Sequence, residues 1–171
     1  KTSREKSEHM IRTDKENYYL DIAETVSERG TCLRRNFGAI IVQNDDIVAT
    51  GYNGAPRGRK NCIDTGVCIR EALGIPRGER YEVCRSVHAE ANAIISAARR
   101  EMIGSTLYLV GKDAKTGEYV ENPSSCSMCK RQIINAGIAR VVIRLNKKEF
   151  VTVPVSDWIE NDESLNGTFG Y

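Results

Sequence analysis

Apolar residues recur along this chain first at helical spacing and then in short β-rich runs. From Asp14 the residues Tyr18, Tyr19, Ile22, Ala23 and Val26 repeat at helical spacing as far as Gly30, which predicts a first helix. Phe37 to Val42 (FGAIIV) and Ile47 to Tyr52 (IVATGY) follow as β-rich runs. The polar Gln43-Asn44-Asp45-Asp46 between them predicts an antiparallel hairpin. From His88 to Met102 the chain is dense in Ala, a strong helix former, and Ile94 and Ile95 are expected to pack inward. Thr106 to Val110 reads as a buried strand, Gly111 to Asn122 as a polar loop, and Cys126 to Ala136 as a helix capped by Gly137. Arg140 to Leu145 is a further strand, Val151 to Val155 a last one, and Trp158 sits on a short helical tail. The order α-β-β-α-β-α-β argues for an α/β fold with a mixed sheet and helices on both faces.

Composition bounds this picture. The 171 residues, 40% hydrophobic and 28% charged, fit one globular domain, expected over residues 14–160 and followed by a tail at 161–171. Residues 1–13 are polar and expected to be flexible, and the lack of an initiator Met suggests trimming. The net charge of +2 and the absence of a long basic run argue against a large nucleic-acid footprint. No apolar run is long enough to span a membrane and no signal-like segment opens the chain, so a cytoplasmic location is expected. In that compartment the six Cys read as reduced thiols and metal ligands rather than disulfides.

The candidate chemistry lies at two helix starts. His88-Ala89-Glu90 opens the Ala-rich helix, and Pro123-Ser124-Ser125-Cys126-Ser127-Met128-Cys129 opens the next. Structural zinc is normally closed by four protein ligands, whereas catalytic zinc keeps three and leaves a position for water. His88, Cys126 and Cys129 supply three ligands, and Glu90 is a spare carboxylate to take the water's proton, so the pattern points to hydrolysis. His88 and Glu90 are two apart and cannot share a helix flank, but both can reach a metal lying off the helix N-terminus. Cys126 and Cys129 do share a face, and first-turn N–H groups stabilise their thiolates. The plainer alternative is a helix start plus two small buried cysteines, and it ranks behind because both half-motifs open helices in the expected order. A redox-active CxxC would leave Glu90 unexplained.

These residues resemble the cytidine deaminase-like fold, and within it the deoxycytidylate (dCMP) deaminases. The resemblance runs from about Tyr19 to Ile143 and rests on FGAIIV, on Gly51-Tyr52-Asn53-Gly54-Ala55-Pro56-Arg57-Gly58, on His88 to Ile94, on Cys126 to Cys129 and on Asn135-Ala136-Gly137-Ile138. It implies a three-layer α/β/α sandwich with a mixed central sheet. The implied reaction is attack of a zinc-activated water on C4 of cytosine, converting dCMP to dUMP and ammonia and so supplying dUMP for thymidylate synthesis. Glu90 would carry a proton to N3 and then to the departing amine. Asn53 would hydrogen-bond the sugar; the alternative is a turn residue before Gly54. A homo-oligomer, hexameric by resemblance, and regulation by dCTP and dTTP in some members are implied as well. One departure stands out: family members carry Pro directly before the first Cys, whereas here Pro123 is followed by two Ser.

Two groups remain to be placed. The phosphate of a mononucleotide needs cationic partners, and Arg34, Arg35, Arg57, Arg59 and Lys60 are the supply. The inserted stretch from Gly54 to Val87 is long, charged and Gly-rich, and such loops are uncommon unless functional or stapled. It carries Cys62, Cys68 and Cys84, which with Cys32 would make a closed structural zinc site, the alternative being unligated buried thiols. Resemblance adds a second zinc held partly at positions matching Cys32 and Cys62. Two other functions stay open. One is a zinc deaminase acting on another cytosine nucleoside or nucleotide or on a base within RNA, the last of which would need a basic or aromatic surface, against which the balanced charge argues. In a non-catalytic zinc-stapled interaction domain Glu90 would be incidental.

Overall fold

The computed structural model describes residues 11–166. The expectations for residues 1–10 and 167–171 lie outside the described residues. The first helix, α1 (Lys15–Ser27), starts where Asp14 accepts a hydrogen bond from the Asn17 N–H and satisfies one of the free donors of the first turn. The hairpin pairs β1 (Arg35–Gln43) with β2 (Asp46–Tyr52). Its turn is tighter than the four polar residues suggest. Only Asn44 and Asp45 lie between the strands, both at positive φ (50° and 64°), the geometry that matches the right-handed twist of the flanking strands.

The short helices α2 (Cys62–Thr65) and α3 (Ile69–Ala72) lie in the insert. The expected helix to Met102 is broken into α4 (Ala89–Ile95) and α5 (Arg99–Met102). Ile95, expected inside, is 70% exposed. At 100° per residue the face turned to the core is taken by Ala89 and Ala93, so the next residue after Ile94 falls on the solvent side. The strand β3 (Thr106–Asp113) runs beyond its expected end at Val110, and a bridge from Lys112 to Tyr119 gives order to the expected polar loop. The chain continues through α6 (Ser127–Ala136), β4 (Arg140–Arg144), β5 (Phe150–Pro154) and α7 (Val155–Glu160). Gly137 closes α6 at φ 82°, as its position predicts.

The five strands form one sheet in the order β2-β1-β3-β4-β5, with β3 and β4 parallel and every other pair antiparallel. Alternating side chains sort onto two faces. Ala39, Ile41, Leu107, Leu109, Val141 and Ile143 pack against α4, α6 and α7, whereas Ile40, Val42, Tyr108, Val110 and Val142 pack against Tyr19, Leu20 and Ala23 of α1. This is the expected α/β arrangement with a mixed sheet between helices. Among the described residues no helix is long and apolar enough to cross a membrane.

The α1 face is also held by charge. Arg144, fully buried on β4, donates to Asp21 (2.8 Å) and to the Asn17 side chain (2.9 Å), while Arg140 donates to Glu16 (3.1 Å). Glu24 meets Lys112 and Lys147 at 3.4 and 3.3 Å. Truncating one member of a buried charged pair strands its partners and leaves a void. Arg144→Ala should therefore lower unfolding stability by about 3 kcal/mol in urea denaturation. A loss below about 1 kcal/mol would mean that the apolar contacts alone seat α1.

Candidate active site

The first half of the site hangs from the hairpin. Gly54, two residues past β2, pairs with Val87 through both backbone hydrogen bonds (3.2 and 2.7 Å), which delivers His88 as the N-cap of α4. The Asn92 side chain donates to the Tyr52 carbonyl (2.8 Å) and ties α4 to the end of β2. Gly51 completes this seat. A Cβ there would overlap the Ala89 carbonyl and the Ala93 N–H, so helix and strand backbones approach as closely as only glycine permits.

The second half is the start of α6. Cys126 is its N-cap, with Sγ accepting from the Cys129 N–H at 3.5 Å, and Cys129 lies buried in the first turn. The two helix N-termini bring His88 Nδ1 to 3.4 Å from Cys126 Sγ and 3.5 Å from Cys129 Sγ. A tetrahedral zinc with ordinary Zn–S and Zn–N bonds has S···N edges of about 3.6 Å. The residues therefore fit the ion. Among the described residues, this is the one group of three His, Cys, Asp or Glu whose ligand atoms all lie within 4.8 Å of one another. The Cys129 side chain and His88 hold the Cys126 thiol at about 4, far below its ordinary value, and the same contact with Cys126, with burial, pushes Cys129 upward. Burial works against protonating His88, but hydrogen bonds to Cys126 and Cys84 raise it to about 10. Negative charge thus gathers on sulfur where a cation would sit.

Glu90, 5% exposed, lies beside this group, its carboxyl pushed upward by burial. Ser125 Oγ donates to Glu90 Oε1 at 3.0 Å. Glu90 lines a cavity of about 240 Å³ whose wall also includes His88, Cys126, Phe37 and Asn53. Asn53 is buried, and its amide is engaged with the neighbouring strand: Oδ1 accepts from Phe37 N (2.8 Å) and Nδ2 donates to the Arg35 carbonyl (2.9 Å). It braces β1 against the end of β2 at the cavity wall, and these two bonds use one lone pair and one N–H of the amide.

Of the basic residues singled out in the sequence, Arg34 and Arg35 line the cavity, whereas Arg57, Arg59 and Lys60 are exposed on the turn that follows β2 and are not among its lining residues. Arg34 is paired with Glu71 at 3.0 Å. The insert supplies two arginines that sequence reasoning did not single out, Arg70 and Arg77. Arg70 is 6% exposed, donates to the Glu79 and Pro76 carbonyls (both 3.1 Å) and lies 4.2 Å over the Tyr81 ring, which in turn meets His88 edge-on at 5.0 Å. Arg77 reaches the wall near Arg35, whose guanidinium is held below its ordinary value by burial first and then by the charges of Arg77 and Arg34. No periodicity marks such residues in sequence, because the helices of the insert are four residues long and the chain between them is irregular.

The four remaining cysteines surround one junction. Burial raises the Cys62 thiol, and Cys32, Cys84 and Cys68 act on it in the same direction. Their sulfurs stand farther apart than those of the His88 group, no three falling within 4.8 Å of one another. Cys84 is turned toward His88, and Cys32 Sγ accepts from the Arg34 N–H at 3.4 Å.

A mixed sheet with an imidazole, two sulfurs and a buried carboxylate at the crossing of two helix N-termini defines a zinc-dependent deaminase class. The chain belongs to the family described as the cytidine and deoxycytidylate deaminase zinc-binding region, whose model matches residues 13–145. It is 36% identical over 138 residues to the deoxycytidylate deaminase of Mycobacterium phage D29, covering 78% of this chain and 96% of that one. It is 32% identical over 134 residues to the deoxycytidylate deaminase of Schizosaccharomyces pombe, covering 78% of this chain but only 38% of the yeast protein. Among solved structures, the dCMP deaminase of cyanophage S-TIM5 in complex with dCMP and dUMP superposes with a TM-score of 0.51 at 26% identity, covering 79% of this chain and 84% of that chain. The cytidine deaminase of Burkholderia pseudomallei, at 18% identity and a TM-score of 0.52 over 81% of this chain and 91% of that one, shares the fold.

Proposed function

We propose that this chain hydrolyses dCMP to dUMP and ammonia. The observation that carries the reading is a single cavity lined by His88, Cys126 and Glu90, with Cys129 buried behind Cys126, and by Arg34, Arg35, Arg70 and Arg77, so that groups for hydrolysis and groups for phosphate recognition share one space. The relatives named deoxycytidylate deaminase and the S-TIM5 complex support the same substrate. His88, Cys126 and Cys129 would hold a zinc ion, which when bound would supply a Lewis acid to acidify a water. Glu90 takes a proton from the attacking water and passes it to N3 as the hydroxyl bonds to C4, then moves the proton of that hydroxyl to the amine, so that the C4–N bond breaks, C4 keeps the oxygen and ammonia leaves. Two thiolates make the metal a weaker acidifier than an all-imidazole site would, which is why the carboxylate is needed. Burial raises the proton affinity of Glu90 above that of an exposed carboxylate, the direction this transfer needs. Asn53 reaches the sugar. Arg35 and Arg77 hold the phosphate, and Arg34 is partly neutralised by Glu71.

A solvated charge on a nucleotide is desolvated only where opposite charge awaits it. Guanidiniums gathered without carboxylate partners form such a place, and Arg35 and Arg77 have no ion pair among the described residues. Replacing either by Ala should raise KM for dCMP roughly ten- to hundredfold while leaving the much slower turnover of deoxycytidine unchanged. An equal loss on nucleotide and nucleoside would place these arginines outside phosphate recognition.

The same reading includes a second, structural zinc held by Cys32, Cys62, Cys68 and Cys84. Convergence of the four thiols on one junction supports it, and loading would have to draw the sulfurs together. Metal analysis of unchelated protein is expected to give two zinc ions per chain, and Cys62→Ser to lower thermal stability and loosen residues 54–87. One ion per chain with four freely titrating thiols would mean that packing, including the Arg70 contacts, holds the insert. A cytoplasmic homo-oligomer, hexameric by resemblance and responsive to dCTP and dTTP, completes the reading. The exposed Ile63, Val67, Ile69 and Leu73 on the insert are apolar surface that an oligomer would cover.

A further inference from the structure

We propose that Ser125 is a positioning residue that fixes the carboxylate of Glu90 for proton transfer. Its hydroxyl donates to Glu90 Oε1 at 3.0 Å, and both side chains are almost fully enclosed, at 4% and 5% exposure. The contact joins the two halves of the site across 35 residues of sequence, from the residue preceding the N-cap of α6 to the first turn of α4.

The geometry gives this bond a specific consequence. A buried carboxylate on a long side chain has two equivalent oxygens and free torsions, and a proton carrier must present one oxygen along a fixed line. Ser125 holds Oε1, which fixes the plane of a carboxyl group that lines the cavity and so the direction in which it offers its other oxygen. The donor comes from a segment whose own direction is set by the Cys126 cap, so the carboxylate is referenced to the same backbone that places two of the metal ligands. Proline at position 125 could not supply this bond, because it has neither hydroxyl nor N–H. Ser125 therefore adds a polar support to the carboxylate that proline at this position would lack. Ser124 does not share the role; its hydroxyl turns to the Ser125 carbonyl at 3.4 Å.

The inference rests on the reading of Glu90 as proton carrier, and the experiment separates the two. Ser125→Ala, Glu90→Gln and the double variant are compared for kcat, KM for dCMP, and zinc content. In Ser125→Ala, kcat should fall on the order of tenfold, with KM within about twofold of the parent and zinc retained, because the lost bond orients a charged group and touches neither substrate nor metal. In the Glu90→Gln background the same truncation should change the residual rate by less than about twofold, since there is no longer a carboxylate to orient. Unchanged kcat in Ser125→Ala, loss of zinc from it, or equal fold-losses in the two backgrounds would overturn the inference. Full activity in Glu90→Gln would instead overturn the proton-carrier reading itself.

Discussion

The site depends on one steric constraint, the contact of α4 with β2 at Gly51. There the strand backbone meets the Ala89 carbonyl and the Ala93 N–H with no room for a side chain. This contact sets the height of α4 above the sheet, and with it the position of His88 at its cap and of Glu90 in its first turn. The parallel pairing of β3 with β4 sets the other half, because the crossover between them must contain α6 and so delivers Cys126 and Cys129 to the same end of the sheet. A ligand set separated by 38 residues in sequence closes to hydrogen-bonding distances because both supports are backbone contacts.

The two faces of the sheet divide the work. On one, α1 is seated by aliphatic contacts and by a ring of ion pairs around Arg144, remote from the cavity. On the other, α4 and α6 pack through small residues, Ala89, Ala93 and Cys129, so that polar groups can crowd at the helix ends above an apolar core. The insert adds charge to this second face. Arg70 commits its donors to the Glu79 and Pro76 carbonyls and its face to Tyr81, whereas Arg35 and Arg77 line the cavity with no ion pair among the described residues. A buried cation thus shapes the wall on which other cations are displayed.

Much of this was legible in the sequence wherever local pattern and tertiary environment agree. The strands FGAIIV and RVVIR, the Gly137 stop and the two half-motifs at helix starts all follow from periodicity and capping chemistry, and the structure places His88, Cys126, Cys129 and Glu90 together. Reading failed where tertiary contacts decide. The Ala-rich run to Met102 has uniform helix propensity, yet the chain bends after Ile95 to return to the sheet, which exposes a residue that propensity alone puts inside. Arg77 and Arg70 gave no signal because a four-residue helix and the irregular chain after it are too short to show a period, and Arg57, near the GYNGAP stretch in sequence, is exposed and not among the residues lining the cavity. Ser125 was visible only as a departure from a pattern; its partner is supplied by a helix 35 residues away.

In the proposed function a buried carboxylate beside a three-ligand metal group performs hydrolytic deamination of a nucleotide. Ammonia release is its most direct measure, assayed on dCMP, CMP, deoxycytidine and dCTP with zinc-loaded protein and with zinc-loaded Glu90→Gln. The account predicts one ammonia per dUMP formed, strong preference for dCMP over deoxycytidine, and a loss of roughly 10²- to 10⁴-fold in the variant with its zinc retained. Zinc-loaded, folded protein that releases no ammonia from any of the four, or a variant as active as its parent, would contradict it.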